Sequence, residues 1–351
     1  MNTQLSRERD RARLEGGFSL LELTIASMMV LMLAWLVTTL SLDGMRAQKF
    51  TERTARVTEI TQDVLDDIQR GLGSAVGLFG GGAIGQGYLD ALVMTGMPRA
   101  ILSSRIPTVD VSGRIERDGG TTTRTGNELF YARYAWTDEF QTTSGLVYRT
   151  DIYRIERFYL TPVRGGPNQA RPDGLNLCHW VSEPLADGNQ LDRISSAADR
   201  TEICAHLVNR TADRTGVVRD AVKLLWLGHV AINAVGTLRE IDVDGDLSLT
   251  PLPSRGGTAW RILPEIRLCD PDILIYRHHS VATNFSLSSA GVSRFVTQST
   301  NNEGFPHGFE VQIIGPPSAR QVLVHLTLVS TNQDGRRAYA DMQTIVDVRD
   351  P

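Results

Sequence analysis

Residues 23–42 contain no Asp, Glu, Lys or Arg, and this 20-residue apolar run limits what the chain can become more than any other feature. As a helix it is about 30 Å long at about 1.5 Å per residue, the thickness of a bilayer's hydrocarbon core. Before it stand Arg7, Arg9, Arg11 and Arg13 against Glu8, Asp10 and Glu15. That short Arg-rich flank is expected to stay in the cytoplasm, with everything after Leu42 beyond the membrane. A cleaved secretory signal is the rival reading. Its apolar stretch spans roughly 7–15 residues and ends at an A-x-A-like site, whereas this run is longer and closes on Thr38-Thr39-Leu40-Ser41-Leu42. The small pair, Gly16-Gly17, comes before the run. Cutting there would remove the polar head and leave the apolar helix in place.

Glu22 sits at the edge of this span, where an unpaired carboxylate costs a few kcal/mol. One explanation is a capping box, Ser19-x-x-Glu22, in which the Glu side chain reaches back to an orphan backbone N–H. The other is intermolecular: cleavage after Gly17 makes Phe18 a new N-terminus, and its amino group offers a cation to the Glu22 of a neighbouring subunit. Both readings stay open at this point.

A polar leader ending in Gly17, then Phe18, then Glu22 as the fifth residue after the cut, then an apolar helix, resembles the class III signal of type IV prepilins and pseudopilins. The resemblance implies that a prepilin peptidase cuts between Gly17 and Phe18, that Phe18 is N-methylated, and that Glu22 acts in subunit docking. No Pro or Gly interrupts residues 18–42, where major pilins often carry a helix breaker. The segment Ile60 to Gly71, the strands around Tyr148 and Phe158 and the ending Thr344 to Arg349 look similar to W-type minor pilins and the related J-type pseudopilins.

The organisation expected along the chain follows. Residues 1–17 are the leader, 18–42 the membrane half of one long helix, and 43–72 its amphipathic half. In that second half Val57, Ile60, Val64 and Ile68 recur at spacings of three and four, which lays an apolar stripe on a sheet. Gly71 and Gly73 are the expected stops. Residues 73–351 form a β-rich head, with a loop-rich insertion at about 161–219 where Pro, Gly, Asp and Asn gather. Strands are expected over 129–136, 146–160, 309–314, 321–330 and 338–348, the last two joined by a turn at Asn332-Gln333-Asp334-Gly335. The stretch 221–233 is apolar enough for a buried strand. The fold class is therefore α+β, pilin-like: a long N-terminal transmembrane and amphipathic helix packed on an antiparallel, two-sheet head.

Candidate chemistry is sparse. Asp242, Asp244 and Asp246 place three carboxylates at alternate positions, a donor set for Ca²⁺, although an EF-hand would need Gly and Glu where Leu247 and Pro253 stand. The alternative is a solvated acidic turn, and calcium is the one cofactor the sequence suggests. Of the three cysteines, Cys178 and Cys204 are nearest in sequence and flank a polar stretch. They are the pair favoured for a disulfide in an oxidising compartment, with Cys269 left over. Cys178-His179 and Cys204-x-His206 lack the C-x-x-C partners usual for zinc. Gly80 to Gly85 fits G-x-G-x-x-G, but it follows a predicted helix and reads as a loop. The seven histidines show no zinc-enzyme spacing, and there is no G-x-S-x-G elbow or phosphate-binding G-x-x-x-x-G-K loop. Phe130, Tyr131, Tyr134 and Trp136 interleave with Arg133 in a pattern able to stack bases; a half-buried strand explains it more simply. A net charge of −4 gives no overall basic field to draw nucleic acid.

The expectation is a non-enzymatic minor pilin. It waits in the inner membrane as a single-pass protein, N-terminus cytoplasmic and head periplasmic, and then joins an extracellular pilus. There it helps initiate or cap assembly at the tip with other minor and major pilins. The rivals are a J-type pseudopilin of a type II secretion system, a tip adhesin or DNA-uptake module that binds a surface ligand, and a signal-anchored periplasmic enzyme.

Overall fold

The structure is a computed structural model that describes residues 19–82, 85–86, 89, 98–115, 124–162, 174–209, 222–225, 238–241, 247–251, 259–263, 279–284, 286–287, 307–331 and 337–348. It divides into two units, Met1–Arg53 and Thr54–Pro351.

A single helix, α1 (Leu20–Gly73), runs through the junction of the two units. Within the first unit its apolar side chains are uncovered: Leu20 is 82% exposed, Leu31 70% and Trp35 69%. The span is long and apolar enough to cross a membrane, and none of it is buried in the protein. Burying each such Leu, Met or Val would be worth about 1.5–3 kcal/mol, a gain this segment does not take from its own chain.

In the second unit, Val57, Ile60, Val64, Leu65, Ile68 and Leu72 of α1 are buried. Their spacing is the 3.6-residue stripe expected of a helix lying on a sheet. They share one apolar cluster with Leu129, Tyr131, Phe158, Leu177, Phe309, Val324 and others.

The sheet beneath contains β1 (Ala75–Leu78), β2 (Thr125–Gly126), β3 (Glu128–Gln141), β4 (Val147–Thr161), β5 (Gly174–Val181), β6 (Leu185–Asp187), β7 (Lys223–Leu225), β8 (Leu238–Ile241), β9 (Leu247–Pro251), β10 (Ala259–Ile262), β11 (His279–Ala282), β12 (Phe309–Ile314), β13 (Arg320–Thr331) and β14 (Arg337–Val348). Its backbone is the antiparallel path β1-β3-β4-β5-β11-β13-β14. Strands β12 and β11 share the same edge of β13, opposite residues 321–326 and 328–330 respectively. The short pair β6 and β7 is parallel.

The head was expected as two sheets; its described strands form two groups, β1 with β3–β10 and β2 with β11–β14, which join through β5 into one hydrogen-bonded network of 14 strands. The join is the pairing of Leu175 and Gly174 with Val281 and Ala282. Gly174 is required there, because a Cβ would lie 1.8 Å from Ser280 Oγ.

The expected loop-rich insertion also needs correction. Within it lie β5, buried on both faces, and the helices α2 (Gly188–Asp192) and α3 (Ala197–Asn209). A central strand loses the apolar-polar alternation that marks a half-exposed one; Leu175 and Leu177 serve the helix-side cluster, while Cys178 and Trp180 serve the other. Helix α3 begins at Ser196, whose Oγ accepts the Asp199 N–H, and packs Ile203, Cys204 and Leu207 on Ile152 and its neighbours. The strands expected at 129–136, 146–160, 309–314, 321–330 and 338–348 all form, with ends shifted by a few residues. Of the stretch 221–233, residues 223–225 form a strand; the turn at 332–335 lies outside the described residues.

Candidate functional site

The N-terminal feature is described from Ser19 onward; Gly17 and Phe18 lie outside the described residues. The Ser19 N–H donates to Glu22 Oε2 at 2.9 Å, and the Glu22 N–H donates to Ser19 Oγ at 3.2 Å. This is the reciprocal capping box, which satisfies two of the donors that open a helix and sets a negative charge at its positive end. Glu22 is thus oriented by its own chain in the first turn of α1, with the exposed apolar segment directly after it. The arrangement offers a carboxylate and an uncovered helical face at the same end. Such a surface suits a membrane or a second apolar helix.

Among the described residues of the head, three of the buried ionic centres tie strands together. Glu156 on β4 accepts the Tyr131 hydroxyl at 2.7 Å, contacts His179 Nε2 at 3.1 Å and pairs with Arg133 Nε. Burial raises its pKa, but the bonds from His179 and Tyr131 and the Arg133 charge outweigh it and hold the carboxyl below its usual value. Burial, and then the Glu156 charge, push the Tyr131 hydroxyl up. Arg157 holds Glu128 through Nε at 2.8 Å and Nη2 at 2.7 Å, a buried pair beside Tyr159.

The third centre lies on the sheet face turned away from α1. His325 on β13 contacts Glu310 of β12 through Nδ1 at 2.8 Å and Asp341 of β14 through Nε2. Thr327 Oγ1 also donates to Asp341, at 2.8 Å. Burial works against charge on the ring, yet the two carboxylates dominate and lift its pKa to about 9. Neither this centre nor the Glu156 centre is expected from the sequence. The available signal is a charged residue at a position whose strand parity makes it core-facing, as with Glu156 between Ile155 and Arg157.

Among the described residues Ser103 Oγ and His307 Nε2 lie 3.5 Å apart. His307 Nδ1 accepts the Asn284 backbone N–H at 3.2 Å, so its proton sits on Nε2, facing the serine. A histidine in that tautomer cannot take the Ser103 proton, which is what nucleophilic activation requires. His307 has φ +68° and returns its own N–H to Asn284 Oδ1 at 2.9 Å, so the left-handed backbone is held by a two-way bond.

The remaining sequence candidates fall as follows. The expected Cys178–Cys204 disulfide is absent. Both residues are free thiols buried in different apolar clusters, one beside Trp180 and Tyr159 and the other on the buried face of α3. Burial pushes both thiols up to about 11, which leaves them protonated and unreactive. Cys269 lies outside the described residues, as do Asp242, Asp244 and Asp246. Among the described residues no group of three or more His, Cys, Asp or Glu could hold a metal ion.

The glycine run follows strand β1 rather than the helix directly. A Cβ on Gly81 would lie 2.5 Å from Ile106 O, so the run is packed against the backbone at Ile106. Phe130 and Tyr131 are fully buried and cannot stack bases, whereas Tyr134 is exposed.

What these elements define is a mixed α+β protein with one N-terminal helix fit to span a membrane. Comparison with protein-family models, with curated proteins and with solved structures finds no significant match to this chain.

Proposed function

We propose that the chain is a minor pilin: a membrane-anchored structural subunit that helps initiate or cap a type IV pilus, with its large head at the filament tip. In this reading a prepilin peptidase cuts between Gly17 and Phe18. The apolar half of α1 then holds the subunit in the inner membrane, head outward, until it packs among the helices of other subunits. Glu22 supplies the docking charge for the new amino terminus of a neighbour.

The observation that carries the reading is the two-part character of one helix. Residues of α1 up to Phe50 are exposed and largely apolar, while Val57 to Leu72 are committed to the head's core. An anchor alone needs about 20 residues; the helix runs for 54. The extra length makes anchor and head one continuous element, as a subunit that moves from bilayer to filament requires.

Mass spectrometry of the mature N-terminus tests the processing, with an N-methylated Phe18 expected. Recovery of the intact leader, from cells that trim their other pilins, would refute it. Gold labelling of the head tests the position: label at filament ends is expected, and even label along the shaft overturns the tip assignment.

A further inference from the structure

The buried polar face of the sheet holds a side-chain bridge that the assembly reading leaves unused. His325 is the only charged residue on the middle of β13's outer face, and β13 is flanked by β12 on one edge and β14 on the other. Glu310 lies directly opposite His325 in the β12 register. Asp341 lies opposite Thr327 in the β14 register, one diagonal step away. Carboxylate oxygens only accept hydrogen bonds, so both ring nitrogens must donate, and the ring that fits between them is the imidazolium. The two acids differ in their access to water: the Glu310 side chain is 1% exposed and that of Asp341 37%.

We propose that His325 is a proton-held latch: its imidazolium fastens the C-terminal strand β14 to the sheet, and loss of its proton loosens that strand while the rest of the head stays folded. A neutral ring keeps one N–H, and its other nitrogen presents a lone pair to a carboxylate oxygen. The better solvated partner gives way, so the break falls on the Asp341 side. Strand β14 is suited to local release, because among the described residues it pairs with β13 alone.

Other charged groups near this face do not substitute for the ring. Arg337 and Asp347 sit at the two ends of β14, with Asp347 accepting from Gln321 at 2.9 Å. His307, in the turn before β12, has its ring on the Asn284 N–H and Ser103 Oγ.

The sign of the effect follows from the raised affinity for the proton. The latch is fully closed below pH 6.5, the ordinary histidine value, and is lost as pH rises through about 9. As pH rises toward that value the ratio of closed to open strand falls by up to about tenfold per pH unit, and by less than about 300-fold in all, because Glu310 stays beside the ring in the open state.

Hydrogen exchange of the full chain in detergent micelles, normalised for the intrinsic rate at each pH, reads this directly. Amides of β14 should lose protection between pH 6.5 and 9 while those of β3 and β4 keep theirs. His325→Gln should leave β14 weakly protected at every pH. Asp341→Asn, at a half-exposed site that tolerates the change, should reduce the slope. Protection of β14 that does not vary with pH, an equal loss in β3 and β4, or an unchanged slope in either variant would overturn the latch.

Discussion

Replacing Gly71 by alanine puts two effects of opposite sign on one methyl group. In a helix, Gly→Ala stabilises by up to about 1 kcal/mol through backbone entropy. At Gly71, however, the new Cβ would stand 2.1 Å from Tyr131 Oη and 3.2 Å from its Cζ. Tyr131 is fully buried and its hydroxyl is spent on Glu156 at 2.7 Å, so the ring can yield only by giving up that bond. Losing a hydrogen bond to a buried charge costs about 1.5–3 kcal/mol, and the overpacking adds about 1–3 kcal/mol. The clash therefore wins, and the net destabilisation is about 2–5 kcal/mol, a large share of the 5–15 kcal/mol typical of a folded domain.

Gly73 supplies the control, two residues on in the same turn with nothing within 4 Å of its Cβ position. Gly73→Ala should be neutral or stabilising by up to about 1 kcal/mol. Urea unfolding in detergent, followed by tryptophan fluorescence, measures both. In a Tyr131→Phe background the offending oxygen is gone, and the Gly71→Ala cost should fall by about 2 kcal/mol, a coupling a double-mutant cycle isolates. Equal effects of the two alanine variants, or an unchanged Gly71→Ala cost in the Phe background, would refute the steric argument.

Further outcomes are expected elsewhere. Ile68→Ala empties a fully buried position between helix and sheet and should cost about 2–5 kcal/mol by the same assay. Ser19→Ala removes one half of the capping box and should lower the stability of the first turns by about 1 kcal/mol, seen as faster amide exchange at residues 20–24. Glu156 has a depressed pKa, so the stability it supplies is complete above pH 4.5, its ordinary value, and drains away as pH falls below that. Unfolding midpoints measured from pH 6 to pH 3 should drop in the wild type and drop less steeply in Glu156→Gln. Cys178 and Cys204 should resist maleimide in the native protein and react after unfolding without any reductant; a need for reductant would show a bridge.

The sequence carried the helix and the strands β3, β4, β12, β13 and β14 well, because their signals are local. Val57, Ile60, Val64 and Ile68 announce a buried stripe by spacing alone, and Ser19-x-x-Glu22 announces its cap. Strand β5 was hidden because both of its faces are covered, which erases the period of two, and because it lies within a Pro-, Gly-, Asp- and Asn-rich stretch that reads as loop. Helix α3 carried a readable start at Ser196-x-x-Asp199, but its apolar positions are few and one of them is a cysteine. That same cysteine drew the disulfide expectation, since nearness in sequence says nothing about which cluster each thiol enters. The ionic centres on Glu156 and His325 depend on register between strands far apart in the chain, and no local pattern encodes that.

The core beneath α1 draws on both ends of the molecule. Val57 to Leu72 share their cluster with Val322, Val324, Leu326, Val346 and Val348, so the helix meets its final neighbours only after roughly 250 further residues have been made, a long-range arrangement that folds slowly. Until then a helix emerging early has its greasy stripe without a permanent cover. A truncation that spared every residue up to β12 would keep part of that cover, from Leu129 to Ile313, and lose the share that β13 and β14 supply.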